Sequence, residues 1–548
     1  MKKITFLMLF AFVAIVASAQ ISRYVKVTAT GLGDGTSWAD AAGNADIQAL
    51  IDAVATDANK GTVYFAAGTY LRTATITIKD GVNLTGGYSS DGSSRDLYQY
   101  QTVLDGQNTG YFRLITAADN VTPFAKVTVI NGFILQKGTG SYGSAAVISL
   151  GTVLENCIVR NNSGGTYGAA IFMKKNTTIS NTNPQNTYKN FKTAGGLINC
   201  IIINNTSSNI SAAVWASDDS HFSIVNCVIA NNKSTDATNG VGGLWFGNNI
   251  HYTHIQNTIF YNNSGVAANN IKTTSTALRV TLNNWFDNAT MPVILGTGSN
   301  NNKLTTDFAT PDFVLPTTFQ GSTTNSTQID EIAASNWSLK STSGLISLGN
   351  STQGVKFPYE NMNASTVSAA TRAFNTISTD VMGSNRIINT TVDMGAYEFN
   401  PVIVTTATVD ALKGSVSGGI IVSKGTSVTV IATPVSGYVF SKWNDGTSDV
   451  STTASYTFTP TADVTLTATF VTDPNTGVNQ LSETNLVTVQ GRNIRINAVG
   501  EVQIYNSVGR LMISKKVVDS PVSLNSAGVY LIKVITLQGV KIQKIVVY

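Results

Sequence analysis

One seven-residue motif recurs along the chain and limits what it can fold into. Each copy has a leading asparagine, a small residue, three mainly apolar residues and a closing pair of asparagines. Full copies begin at Asn156, Asn199, Asn226 and Asn257, and weaker copies begin at Asn131 and Asn283. From Asn131 to Asn257 the intervals between successive starts are 25, 43, 27 and 31 residues. Repeats spaced by roughly 20 to 50 residues are typical of solenoids, in which each unit packs on its neighbours.

Each motif is interpreted as a short strand that ends at a sharp corner, because asparagine tolerates the left-handed backbone of such a corner. A second segment, small residues followed by apolar ones, precedes most copies by about 15 residues. These segments are residues 143–147, 168–171, 211–214 and 242–244. Two or more strands in every period predict that equivalent strands stack in parallel about 4.8 Å apart. With only 12% charged residues, the chain is predicted to be all-β and to contain a parallel β-helix.

Three cysteines, Cys157, Cys200 and Cys227, occupy the same position of successive motifs. This position predicts a buried column of small apolar side chains. A disulfide between stacked neighbours stays open as an alternative, because close approach does not guarantee bonding geometry. No histidine falls in register with the cysteines, so no metal site is expected.

The repeats resemble the right-handed parallel β-helix family with the pectin-lyase-like fold, and within it the polymorphic outer-membrane-protein repeats. The likeness covers roughly residues 22–400. It extends to an entry segment at residues 24–38, an amphipathic segment at residues 47–54 and a closing motif at residues 392–398. The resemblance implies that residues 20–400 form a right-handed parallel β-helix whose N-terminal edge is covered by a capping helix.

The first 19 residues have the pattern of a signal peptide. Lys2 and Lys3 precede an apolar run over residues 4–16, and small residues at 17–19 predict cleavage after Ala19. We therefore expect a protein secreted or displayed on the outer cell surface by way of the periplasm, without a membrane span after cleavage. The formal net charge is +4 and no basic run is present, so nucleic acid is not an expected partner.

Two smaller β domains are expected after the β-helix. Residues 401–472 resemble the divergent internalin-type B repeat of bacterial surface proteins, and residues 473–477 form a polar linker. Residues 478–548 resemble the type A C-terminal sorting domain of the type IX secretion system. That resemblance implies that the type IX machinery is a partner and carries the protein across the outer membrane.

Alternation along the second strand of each period predicts one candidate binding face. If Ile171, Val214 and Leu244 point inward, then Phe172, Trp215 and Trp245 point outward in an aromatic stripe. Sugar rings stack on such stripes, and the neighbouring Lys174 and Asn248 are predicted to contact the same ligand. The alternative is that the long insertion at residues 176–192 folds over these aromatics and buries them as a satellite core.

Catalysis has a thinner basis in the sequence. Asp218, Asp219 and His221 are weak catalytic candidates near the stripe. A lyase of this fold would use several acidic residues to hold Ca²⁺ and a basic residue to take a proton, so Ca²⁺ is expected only in that case. We therefore predict a non-catalytic, adhesin-like protein that binds glycan or another surface ligand. A polysaccharide lyase or glycoside hydrolase is the alternative, and a structural stalk is the second alternative.

Overall fold

The fold comes from a computed structural model, and at a few positions within its strands the backbone alone is described. It describes residues 20–117, 127–149, 151–165, 170–174, 195–217, 221–247, 252–273, 279–288, 301–350, 356–357, 375–388, 390–399, 401–423, 426–474, 487–496, 499–518, 521–536 and 539–548. The chain divides into two compact units, one reaching Val402 and the other comprising most of the residues beyond it. No helix within the described ranges is long and apolar enough to cross a membrane.

Three long parallel sheets build the first unit. The strands of the first sheet are Ile21–Val25, Gly61–Ala66, Val82–Tyr88, Thr128–Asn131, Thr152–Glu155, Gly195–Ile198, His221–Val225, Tyr252–Gln256 and Arg279–Leu282. The strands of the second sheet are Ile76–Ile78, Ile115–Ala117, Ala146–Ile148, Ile171–Met173, Val214–Ala216, Leu244–Phe246 and Ile271–Thr273. The strands of the third sheet are Gly68–Leu71, Thr102–Asp105, Phe133–Gln136, Ile158–Arg160, Ile201–Ile203, Val228–Ala230, Ile259–Tyr261, Trp285–Phe286 and Lys303–Leu304.

The chain visits the second, first and third sheets in turn, and each strand pairs in parallel with its counterpart one turn away. A short fourth ladder of Ser163–Gly164, Thr206–Ser207 and Lys233–Ser234 lies between the third-sheet and second-sheet strands of three successive turns. The inward side chains of the three sheets form one continuous apolar core. The predicted fold class, an all-β parallel β-helix followed by two small β domains, is therefore confirmed.

Asparagines in the left-handed region make two corners of each turn that carries a full copy of the motif. The leading asparagines, which join the first sheet to the third, have φ between 49° and 55°; they are Asn156, Asn199, Asn226, Asn257 and Asn283. The first asparagine of each closing pair leaves the third sheet with a φ between 49° and 54°; they are Asn161, Asn204, Asn231 and Asn262. Asparagine is the residue with a side chain that most readily accepts this conformation. The motif therefore fixes the third-sheet strand from both of its ends.

The second asparagine of each pair forms a buried amide ladder along the helix axis. Asn162 donates to Asn205 at 2.9 Å, Asn205 donates to Asn232 at 2.9 Å, and Asn232 donates to Asn263 at 3.0 Å. Asn205 also donates to the carbonyl of Val159, one turn back, at 3.0 Å. These side chains are almost wholly buried, and stacking satisfies them as burial requires.

We predict that Asn205→Ala lowers the free energy of unfolding by about 3 kcal/mol, because buried backbone and amide groups of three turns lose partners. Urea denaturation followed by circular dichroism measures the loss. The control is Asn239→Ala, whose side chain is exposed and whose effect should stay within about 0.5 kcal/mol. Equal stabilities of the two variants would contradict a structural role for the ladder.

The cysteines form a buried column of free thiols beside the leading asparagines. The thiol of Cys157 lies 3.4 Å from the carbonyl oxygen of Ile130, and that of Cys200 lies 3.3 Å from the carbonyl oxygen of Leu154. Thr258 continues the column, since its hydroxyl accepts from the amide of Cys227 at 3.4 Å. Burial raises the pKa of the Cys157 and Cys200 thiols well above the ordinary value. The structure thus contains the packed column and not the disulfide alternative.

Because all three thiols are buried, iodoacetamide should not reach them in the native protein. In denaturant without reductant, mass spectrometry should find three adducts per chain. A single adduct under those conditions would instead reveal a disulfide between two of the three cysteines.

A helix, Ile47–Thr56, covers the N-terminal end of the core, with a short 3-10 turn, Asn44–Asp46, before it. Its buried face, which includes Ile47, Leu50 and Ile51, packs on the first turn. The side-chain amide of Gln48 accepts from the amide of Thr77 at 2.8 Å and donates to the Thr77 carbonyl at 3.1 Å. Gln48 thereby replaces the missing neighbour of the edge strand of the second sheet and blocks edge-to-edge pairing.

The outer face of the third sheet is covered by the chain that follows the repeats. The covering elements are the strands Phe313–Leu315 and Asn336–Leu339 and the helix Ser326–Ala334. The short strands Lys356–Phe357 and Asn375–Thr376 pair with each other. Outward residues such as Val228 and Trp285 join Phe313 and Trp337 in a second apolar core. Corner asparagines hold the cover in place; Asn231, for example, donates to the carbonyl of Thr317 at 2.8 Å.

A buried charged cluster closes this cover. Arg386 pairs with Glu398 at 2.9 Å and donates to the carbonyl of Gly395 at 2.6 Å. Asp380 accepts from the backbone amide of Glu398 at 2.9 Å, and Asp393 accepts from that of Phe399. Burial raises the pKa of Glu398 to about 9, and the attraction of Arg386 opposes that rise. The closing motif at residues 392–398 therefore has a structural role. Three acids, Asp380, Asp393 and Glu398, lie around the cation of Arg386.

Arg386→Met should lower the free energy of unfolding by about 3–5 kcal/mol, because it leaves buried acids without their cation. Urea titration monitored by tryptophan fluorescence checks this. Lys340→Met, which removes an exposed partner of Asp312, should change stability by less than about 1 kcal/mol. The interpretation fails if Arg386→Met is no more destabilising than Lys340→Met.

Two mainly antiparallel modules follow the β-helix in the sequence. The first has a sheet of Ile420–Ser423, Pro401–Thr408, Val464–Thr472, Tyr438–Asn444 and Asp449–Ser451, and a sheet of Gly414–Ser417, Val428–Pro434 and Ser455–Phe458. One pair in it, Pro401–Thr408 with Val464–Thr472, is parallel. The last module has a sheet of Val487–Gln490, Asn493–Ile496 and Pro521–Ser523, and a sheet of Leu511–Val518, Val499–Asn506, Gly528–Thr536 and Gly539–Val547. Its two sheets enclose a separate core that includes Ile504 and Ile532.

Candidate functional site

One row of side chains runs along the outer face of the second sheet. The strand register aligns Thr77, Thr116, Val147, Phe172, Trp215, Trp245 and Lys272. We call these seven residues the outer column. Their predecessors in each strand belong to the inner core, and they are Ile76, Ile115, Ala146, Ile171, Val214, Leu244 and Ile271. Alternation along short strands therefore places the outer column outside the helix.

The middle of the outer column is a stack of aromatic rings. Phe172 and Trp215 lie 4.5 Å apart between centroids at an interplanar angle of 20°. Tyr142 leans on both, at 5.4 Å from Phe172 and 5.9 Å from Trp215. Because stacked rings cover one another's faces, a ligand meets mainly ring edges here.

Trp245 continues the column and is only 9% exposed. The ammonium group of Lys272 lies 4.8 Å from the centre of its ring, a distance at which a cation is attracted to the aromatic face. The predicted aromatic stripe is therefore present as a row of side chains, but Trp245 is almost inaccessible to solvent.

A groove of about 390 Å³ lies at the N-terminal end of the outer column. Its lining residues are Thr75, Thr77, Tyr111, Phe112, Arg113, Thr116, Gly140 and Ser141. Tyr111 is 68% exposed. Gly140 packs so tightly on the backbone of Phe112 and Arg113 that a Cβ atom would lie 2.9 Å from the Arg113 nitrogen. This close contact fixes the position of the segment that contains Tyr111 and Arg113 and lines the groove.

The other outer faces offer less access. The third sheet is covered by the second apolar core. On the first sheet, Val153, Ile198 and Val225 pack against Ile377 in a smaller cluster. Among the faces that the structure describes, the second sheet therefore carries the half-exposed aromatic row and the groove together.

Only part of the predicted site can be placed. Lys174 is half-buried just past Phe172, and its ammonium group donates to the carbonyl of Ala117 at 3.0 Å. Asn248, Asp218 and Asp219 lie outside the described residues. His221 begins a first-sheet strand opposite Tyr252, and its side chain is outside the described part. Groups of three or more His, Cys, Asp or Glu residues able to hold a metal are absent from the described ranges.

Tyr111, Arg113 and Tyr142 were missed by the sequence reasoning, because they belong to turns that precede the full motif. The strand Ile115–Ala117 precedes the weak copy at Asn131 at a spacing similar to that of the other second-sheet strands. That spacing was the available signal.

Comparison with known proteins identifies one module. Residues 404–474 match the family model of the divergent InlB B-repeat domain, which confirms the resemblance expected for the first small β domain. No curated protein matches the chain. The crystal structure of pectate lyase Pel9A aligns with 69% of this chain and 96% of its own, at 13% identity and a TM-score of 0.27. We draw no inference from an alignment at that score, and the β-helix is identified from its own three parallel sheets. The module that follows it is B-repeat-like.

Proposed function

We propose that the chain is an exported, non-catalytic protein whose β-helix binds glycan along the outer column and its groove. The observation that carries this proposal is the shared register of the outer column. In-register side chains extend from hydroxyls at Thr77 and Thr116 through the aromatic stack to the cation of Lys272. An elongated row of hydroxyl, aromatic and cationic groups suits a polymer of hydroxylated rings.

The stacking geometry favours particular contacts. The faces of Phe172 and Trp215 pack on each other, so sugars would touch their edges. Tyr111 is exposed at the groove and would offer the larger aromatic contact. Binding would therefore be strongest at the groove and weaken toward Trp245.

The proposal of export is based on features at both ends of the chain. Cleavage after Ala19 would deliver the protein to the periplasm, and the last module would pass it to the type IX machinery for transfer across the outer membrane. The B-repeat module supports placement at the cell surface or outside the cell, as an adhesin-like protein or a released one.

We predict that Tyr111→Ala weakens retention on a bound polysaccharide about tenfold, the effect of losing one central aromatic contact. Affinity electrophoresis of the mature chain through gels containing neutral or acidic polysaccharides measures retention. Tyr98→Ala, an exposed tyrosine outside the groove, is the matched control. Trp215→Ala should weaken retention as well, at some cost in stability because its ring is stacked.

The same samples test the alternatives. Unsaturated products or new reducing ends, abolished by Asp218→Asn or Asp219→Asn, would replace the binding proposal with a polysaccharide-degrading enzyme. Failure of the wild type to be retained by any polysaccharide would favour a structural stalk.

A further inference from the structure

Arg113 stands out among the arginines of the coil. Arg72 donates to Asn44 at 2.7 Å, Arg160 donates to Gln136 at 3.0 Å, and Arg386 pairs with Glu398. Arg95 donates to Asn131. Arg113 is half-buried, and no acidic or hydrogen-bonding partner for its guanidinium group lies in the part of the chain that the structure describes. An oxyanion bound in the groove would supply a partner for this partly buried charge.

The surroundings of Arg113 complete a site for an oxyanion. The groove that it lines is also bordered by four residues that carry hydroxyl groups, Thr75, Thr77, Thr116 and Ser141, and none of its lining residues is acidic. Guanidinium N–H groups and hydroxyls are donors, and a carboxylate or sulfate can accept from several of them at once. Charge-assisted hydrogen bonds of this kind are stronger than neutral ones.

We infer that the groove binds a carboxylate or sulfate group of an acidic saccharide, with Arg113 as the residue that selects it. The inference rests on the proposed glycan-binding function and names the chemical class of the ligand. Lys272 at the far end of the outer column adds a second positive charge. A polymer with repeated negative groups could meet both charges at once.

The test uses three polymers with one backbone: dextran, carboxymethyl-dextran and dextran sulfate. The mature wild type should bind one or both charged polymers at least about tenfold more tightly than dextran at moderate salt, as measured by biolayer interferometry. The comparison of the two charged polymers separates carboxylate from sulfate.

Arg113→Gln should reduce that preference about tenfold, and Arg113→Lys should keep part of the preference, because lysine retains the charge without the planar fork. Arg492→Gln removes one exposed positive charge in the last module and should have no effect. Circular dichroism confirms that each variant is folded.

Equal wild-type binding to dextran and both charged polymers would overturn the inference and leave the glycan proposal intact. So would a preference that Arg113→Gln and Arg492→Gln reduce alike, because it would reflect net charge only. Absence of binding to every saccharide tested would instead overturn the proposed function beneath it.

Discussion

The architecture depends on a backbone constraint: a parallel coil needs sharp corners at the same place in every turn. Asparagine meets the constraint twice in each turn that carries a full copy of the motif, at φ values near those of a left-handed helix. The same residue type then supplies amides that bond from one turn to the next, as between Asn205 and Asn232. Because each ladder asparagine directly follows a corner asparagine, the register of one turn sets the register of the next. Aligned rows of side chains such as the outer column are the result.

Covering of the third sheet decides where a ligand can bind. Its outward positions carry Val228, Ile259 and Trp285, which need a cover as much as the inner core does. The chain after the repeats provides that cover, and the Arg386 cluster closes it. The second sheet instead carries hydroxyl, aromatic and cationic side chains outward, and the proposed binding face is a consequence of that division.

Much of this fold follows from the sequence, because the corners are local. The positive φ of Asn199 and the inward packing of Cys200 depend on neighbouring residues and repeat in each copy. The first sheet could not be separated in the same way, since a strand such as Thr152–Glu155 runs directly into the next motif. The cover of the third sheet could not be predicted either. The contact between Asn231 and Thr317, for example, joins residues 86 positions apart, and no repeated sequence pattern indicates it.

For the candidate site, only the outward orientation of the aromatic side chains could be predicted from the sequence. Alternation placed Phe172, Trp215 and Trp245 outward, but it could not show that the rings stack face to face or that Lys272 lies over Trp245. Those details depend on side-chain conformations and on contacts between turns. The groove was missed for a related reason, since Tyr111 and Arg113 come together with Gly140 only through packing.

Glycan binding on the second sheet is tested most directly by a crystal structure of the mature chain with an acidic oligosaccharide that it retains. Sugar density is expected along the second sheet between Thr77 and Lys272, with a carboxylate or sulfate oxygen within hydrogen-bonding distance of Arg113. Ordered saccharide on the first sheet or on the B-repeat module, with the groove empty, would contradict it.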